Sequence, residues 1–350
     1  MLVSRVLEVA QAGPVAALQT FLAGLMQATG ASRILAPVVD TDGVVRPEAI
    51  ADQALIARVN PLLPLMHADA VAALRSARRD ACAEAMVAVL RPCEVSASAE
   101  LARRGRLDLA QTVLVGIDCL PTCELGYWEQ GRDTHRDRPD WLVIQALQLA
   151  QAGQVQADGT RLACQFCERP AADFRAADVL IGLVGVQNQE RLLILAEEAK
   201  DARWNLQTLT DRPATDRETA DREVALWRVT DRRKQAAAAC LGRLRLADAH
   251  SSAIMGHLAK CTLCGECIEA CREWSEGLRA ARQRGREAFI QGLLAALQQP
   301  ADCSVCGMCQ VHCDEGIPLS AIQRALGQRV EHRMCSADGH GAANPRPWTT

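Results

Sequence analysis

The sequence predicts an α/β domain with a largely parallel sheet, followed by an all-α domain. Three observations predict it. Short apolar runs alternate with helical patterns through residues 1–215. Residues 272–302 are rich in Ala, Arg, Leu, Glu and Gln, all good helix formers. Of the 16 cysteines in 350 residues, eight crowd into two short stretches of that second part.

Composition narrows the classes first. With 49% hydrophobic residues, the chain can bury a large core or two smaller ones, which excludes disorder as its dominant state. It is too long to need a disulfide scaffold. The formal net charge of -3 gives no basic surface for nucleic acid. No charge falls between Glu8 and Arg33, but Gln11, Gln19, Thr20, Gln27 and Thr29 make the run too polar for a membrane span. Val15, Leu18, Leu22 and Leu25 recur at helical spacing, so an amphipathic helix packed on a core is expected there. No signal peptide pattern is present, and the chain is expected to be cytoplasmic. Thiols stay reduced in that compartment, so clustered cysteines read as metal ligands or redox groups.

The elements of the first domain follow in order. RILAPVV (33–39) reads as a strand held to an edge by Pro37, with DTDG (40–43) as a turn. MVAVL (86–90) is a strand ending in RPCE, with a helix from about Val95. QTVLVGID (111–118) is a strand ending just before Cys119, and 141–151 reads as a helix. VLIGLVG (179–185) and RLLILA (191–196) read as further strands. The alternating charges of 211–234 read as a solvated helix face, with Leu226 and Trp227 as its anchoring side. The expected divisions are an α/β domain at 1–215, a charged helical linker at 216–249, an all-α domain at 250–330 and a flexible tail at 331–350.

The strongest chemical signal is the spacing C-x2-C-x2-C-x3-C, which occurs twice. It runs through Cys261, Cys264, Cys267 and Cys271, and again through Cys303, Cys306, Cys309 and Cys313. Three thiolates on a tight loop can reach three iron corners of one cubane. In two-cluster proteins the fourth serves the other cluster. Two 4Fe-4S clusters are therefore expected, one on Cys261, Cys264, Cys267 and Cys313, the other on Cys303, Cys306, Cys309 and Cys271. Structural zinc would want two ligand pairs in a tetrahedron. Gly265 and Gly307 follow the second cysteine of each motif and let the loop turn closely. Arg272 and Asp314 stand where bacterial ferredoxins usually have proline. Phe289, Leu293 and Leu297 step along one helix face, and Pro318 suits the start of a last helix. Residues 250–330 thus resemble an all-helical two-cluster ferredoxin domain.

A second constellation lies upstream. Cys93 and Cys119 each fall just past a strand's C-terminal end, where open α/β sheets bind ligands. Cys164 and Cys167 form a C-x-x-C that can close such a site with a third 4Fe-4S cluster. Buried structural cysteines are the plain alternative. Cys123 competes with Cys119, which is preferred because it ends the strand. Cys82, Cys240 and Cys335 have no assigned partner, and His312 beside Cys313 is expected to tune or shield rather than ligate.

VAVLRPCE, LVGIDCL, RLACQFCERP and ADVLIGLVG together resemble the coenzyme F-420 hydrogenase/dehydrogenase beta subunits, over about residues 10–215. The resemblance implies an oxidoreductase subunit that passes electrons between iron–sulfur clusters and a flavin. It implies a 4Fe-4S cluster on the matching Cys93, Cys119, Cys164 and Cys167, and partner subunits in a redox complex resembling those of formate dehydrogenases and hydrogenases. It also implies FAD and hydride exchange with a soluble electron carrier. Residues 10–30 offer only Gly13, Gly24 and Gly30, and no G-x-G-x-x-G follows a strand. The expected function is therefore an electron-transfer subunit. A flavin-containing oxidoreductase reducing a carrier such as a deazaflavin is the alternative, and an iron–sulfur sensor a third reading.

Overall fold

The computed structural model describes residues 1–40, 43–80, 84–154, 158–248, 250–271, 275–298, 303 and 306–327. Cys82, Cys335 and the tail at 331–350 lie outside the described residues. The chain divides into two bodies, Met1–Ala237 with Ser304–Cys306, and Ala238–Cys303 with Gly307–Thr350.

The first body contains β1 (Leu2–Glu8), α1 (Gly13–Thr29), β2 (Arg33–Val39), β3 (Val45–Ile50), α2 (Ala70–Asp80), β4 (Met86–Leu90), α3 (Pro92–Arg103), β5 (Thr112–Ile117), α4 (Leu125–Thr134), α5 (Trp141–Gln151), α6 (Leu162–Gln165), β6 (Val179–Gly182), β7 (Arg191–Glu197), α7 (Glu198–Arg203) and β8 (Arg212–Pro213). The division falls within α8 (Asp216–Arg243). The strands form one sheet in the order β3-β2-β4-β5-β6-β7-β1-β8.

That sheet corrects the expectation of a largely parallel one. β2, β4, β5 and β6 run parallel to their neighbours in series. The pairs β2/β3, β6/β7, β7/β1 and β1/β8 are all antiparallel, so the sheet is mixed. The physical reason is connection length. Residues 183–190 between β6 and β7 are too few for a crossover, which needs a dozen or more, so the chain returns as a hairpin. Nor is β2 the edge. It pairs with β3 from Ile34 to Val39, with Pro37 opposite Pro47, and with β4 only over Arg33, Ile34 and Leu35. The missing proline N–H thus ends the β4 ladder early rather than placing β2 outside.

Alternate strand residues feed two cores. Ile34, Val87, Val89, Val115, Ile117 and Ile181 pack with Leu18, Leu22 and Leu25 of α1 and Leu142 and Leu147 of α5. Leu35, Met86, Ala88, Leu114 and Leu180 pack with Val71 and Leu74 of α2 and Val95 and Leu101 of α3. Both sheet faces are therefore covered, which is why MVAVL reads as an unbroken apolar run.

Asp69 starts α2 by accepting from the Val71 N–H at 3.1 Å. Burial first, then the nearby Glu94 carboxylate, pushes its carboxyl up to about 6. A raised carboxylate destabilises the fold when ionised, so this cost is present above about pH 6 and gone below about 4. Asp69→Asn keeps a capping oxygen without the charge. Its unfolding free energy from urea titration at pH 7 should rise by about 2 kcal/mol after allowing for partial exposure, and match the parent's at pH 4.

In the second body the described elements are α9 (Ser251–Leu258), α10 (Glu266–Ala270), α11 (Ser275–Gln283), α12 (Arg286–Leu297), α13 (Met308–Val311) and a helix α14 over 319–327. The expected fold of this part, an all-α ferredoxin domain, is corrected too. The described residues give a series of mostly short helices, with Gly285 (φ 102°) between α11 and α12, and do not clearly show a ferredoxin arrangement. Phe289, Ile290, Leu293 and Leu297 of α12 are buried. Among the described residues no helix is long and apolar enough to cross a membrane.

Candidate functional site

Cys93, Cys119, Cys164 and Cys167 lie near enough to act on one another's charge, with Cys93 and Cys119 just past the C-terminal ends of β4 and β5. RPCE places each part of the first turn of α3. Pro92 opens the helix, where its missing N–H costs nothing, and the Glu94 carboxylate accepts from the Arg91 backbone N–H at 2.8 Å. Cys93 therefore lies inside the first turn of a helix that starts three residues earlier than the sequence suggested. Cys119 follows Asp118 at the end of β5, and its N–H donates to the Pro170 carbonyl at 2.8 Å. The Arg161 N–H donates to the Thr122 carbonyl at 2.9 Å, which joins the 119–123 loop to the turn carrying Cys164 and Cys167. The Thr122 hydroxyl lies 3.2 Å from the Cys164 sulfur.

The electrostatics define which thiols are neighbours. Burial pushes the Cys93 thiol well above its ordinary value, and the charges of Glu94, Cys167, Cys119 and Cys164 raise it further. Burial likewise pushes Cys119 up to about 11, with the cationic Arg233 opposing and Cys167 and Cys164 adding to it. Cys123 is pushed up to about 12 by burial. Cys164 adds to the rise, and the Cys123 N–H donates to the Pro64 carbonyl at 2.9 Å. Cys93, Cys119, Cys164 and Cys167 thus act on one another, while Cys123 lines a pocket with Cys119 and is acted on by Cys164. Thiols held this high keep their protons at neutral pH, which argues against free nucleophiles. A cationic core would draw the protons off.

Sequence reasoning missed the other wall of this site. The charge-rich run of α8 is not uniformly solvated. Arg222, Leu226, Val229 and Arg233 are buried on one face, while Trp227 is 68% exposed. Leu226 and Val229 pack with Ala171 and Val184. Arg222 forms a two-pronged ion pair with Asp118, whose carboxylate also accepts from the Leu183 and Val184 N–H groups at 2.8 and 2.9 Å. Gly182 lets this guanidinium pass, since a Cβ there would lie 3.0 Å from it. Arg233 donates to the Arg169 carbonyl at 2.7 Å and the Cys119 carbonyl at 3.1 Å. The available signal was the spacing of Arg222, Leu226, Val229 and Arg233, which is helical and one-sided.

In the second body Cys261, Cys264, Cys267 and Cys313 line one pocket, closed by Phe289, Leu293, Ile317 and Leu319. Burial pushes Cys267 up to about 12, and its neighbours Cys261, Cys313 and Cys264 add to the rise. The fourth cysteine of the second motif is thus brought to the first motif. Leu263 adopts φ 65°, a left-handed conformation costly for a side chain of this kind, and its N–H donates to the Cys261 sulfur at 3.4 Å. Gly265 (φ 89°) and Gly307 (φ 73°) take the left-handed turn after each second cysteine. Cys303 and Cys306 fall in different bodies, and residues 304–305 lie outside the described set, so the grouping of Cys271, Cys303, Cys306 and Cys309 rests on spacing. His312 is exposed, and Cys240 is buried in α8. Among the described residues no three His, Cys, Asp or Glu side chains form a group suited to a single metal ion.

Neither a family model nor a curated protein matches the chain. Among solved structures, it is similar to a chain of the F420-reducing NiFe hydrogenase complex from Methanosarcina barkeri. The identity is 12% and the TM-score 0.49, over 67% of this chain and 90% of that one. At that distance the likeness concerns the course of the backbone and carries no function.

Proposed function

We propose that the chain is an electron-transfer subunit of a redox complex, holding 4Fe-4S clusters on three cysteine sets. The observation that carries this reading is the pocket shared by Cys261, Cys264, Cys267 and Cys313. Its ligands are those expected when two C-x2-C-x2-C-x3-C motifs exchange their fourth cysteines. A tetrahedral zinc would pull its sulfurs to about 3.8 Å of one another, given Zn–S near 2.3 Å. A cubane holds its thiolates farther apart, one on each iron, which suits cysteines that ring a pocket. Cys271, Cys303, Cys306 and Cys309 form the second set on spacing. Cys93, Cys119, Cys164 and Cys167 form the third on spacing and mutual approach.

Bound clusters supply one-electron transfer. The chain's own residues shape the sites. Phe289 and Leu293 give the first set an apolar wall, the Leu263 N–H donates to the Cys261 sulfur, and the Thr122 hydroxyl contacts Cys164. Partners are required because a relay needs a donor and an acceptor. Among the described residues no acid–base or nucleophilic constellation stands out beside the cysteine sets.

Substitution tests the ligand choice. In anaerobically prepared protein, Cys119→Ser should lower iron by about 4 per chain, while Cys123→Ser should keep the parent content. The reverse pattern would move the third site to Cys123. Stoichiometric flavin in the parent preparation would replace the relay with the flavoenzyme that reduces a soluble carrier.

A further inference from the structure

Arg233 is only 3% exposed, and among the described residues no carboxylate pairs with it. Its two terminal nitrogens donate to the carbonyls of Arg169 and Cys119. Its Nε is buried with no acceptor. The cysteines around it are Cys119, Cys167 and Cys164. Arg222 makes the contrast. It lies three helical turns earlier on the same face of α8, with Asp118 beneath it. A buried cation without a counter-ion costs several kcal/mol, and an orphaned buried donor about 1–3 kcal/mol more. Such an arrangement fits a site that receives an anionic group among the sulfurs. A thiolate-ligated cluster is such a group, and its bridging sulfurs accept hydrogen bonds.

We propose that Arg233 is the charge-setting residue of the third site. Its guanidinium supplies the countercharge to a cluster on Cys93, Cys119, Cys164 and Cys167, and its Nε–H donates to a sulfur of that cluster. Reduction adds one electron, and with it one negative charge, from a one-electron donor such as another iron–sulfur cluster. No bond is made or broken. A cation fixed at this position stabilises the reduced form more than the oxidised form, so the third cluster is easier to reduce than it would be without Arg233. The inference rests on the three-cluster reading and adds which residue raises the potential of the third cluster.

The test is a redox titration of the anaerobically prepared full chain, followed by electron paramagnetic resonance, on the parent, Arg233→Gln and Arg233→Lys. At the potential where the parent's third cluster is half reduced, Arg233→Gln should raise its oxidised-to-reduced ratio at least tenfold. That corresponds to about 59 mV for one electron. Arg233→Lys keeps the charge and loses the Nε donor, so it should show a smaller shift of the same sign. The other two clusters should titrate as in the parent. An unchanged potential in Arg233→Gln at full iron content would make Arg233 a staple for α8 and overturn the proposal. If Arg233→Gln loses the cluster, Arg233→Lys decides, and an unchanged potential there overturns it. About 8 irons in the parent would instead remove the third site itself, before any variant is compared.

Discussion

Asp118→Ala should lower the unfolding free energy by about 3–5 kcal/mol, read from denaturant unfolding under anaerobic conditions. The change leaves the Arg222 guanidinium buried without its partner and strips acceptors from the Leu183 and Val184 N–H groups. Adding Arg222→Leu should recover part of the loss, because the penalty comes mainly from the unpaired charge. A change of under about 1 kcal/mol in the single variant would mean that α8 is not anchored through this pair. Asp118 adjoins Cys119, and Arg222 shares its helix face with Arg233. The same substitution should therefore loosen both walls of the third site and lower its iron content.

The second large effect concerns the exchange of fourth ligands. A variant with Cys303, Cys306 and Cys309 all changed to serine should retain the cluster on Cys261, Cys264, Cys267 and Cys313, giving about 8 irons from a parent of about 12. Adding Cys313→Ser to that variant should remove about 4 more, whereas adding Cys271→Ser should remove none. If Cys271 proves to be the essential one, each motif closes on its own fourth cysteine. The pocket that now includes Cys313 would then have another explanation.

Much of this was legible in the sequence because the physics was local. β4 and β7 appear as apolar runs because both of their faces are buried. The approach of Cys313 to Cys261, Cys264 and Cys267 was foreshadowed by the spacing C-x2-C-x2-C-x3-C, which occurs twice. Three things were not legible, each for a stated reason. β1 carries Arg5 and Glu8 among its apolar residues, and its place between β7 and β8 depends on partners far along the chain. The direction of β7 was hidden by attending to composition rather than to the short 183–190 connection, which forbids a crossover. The buried arginines of α8 were hidden because Arg in a charge-rich run reads as solvated. What buries them is tertiary, namely Asp118 for Arg222 and the carbonyls and sulfurs near Cys119 for Arg233.

Iron, acid-labile sulfide and zinc determined together on the anaerobically isolated chain test the central claim most directly. Three 4Fe-4S clusters predict about 12 irons and about 12 sulfides per chain, with zinc absent. Stoichiometric zinc with no labile sulfide would contradict it, and the cysteine sets would then be structural metal sites.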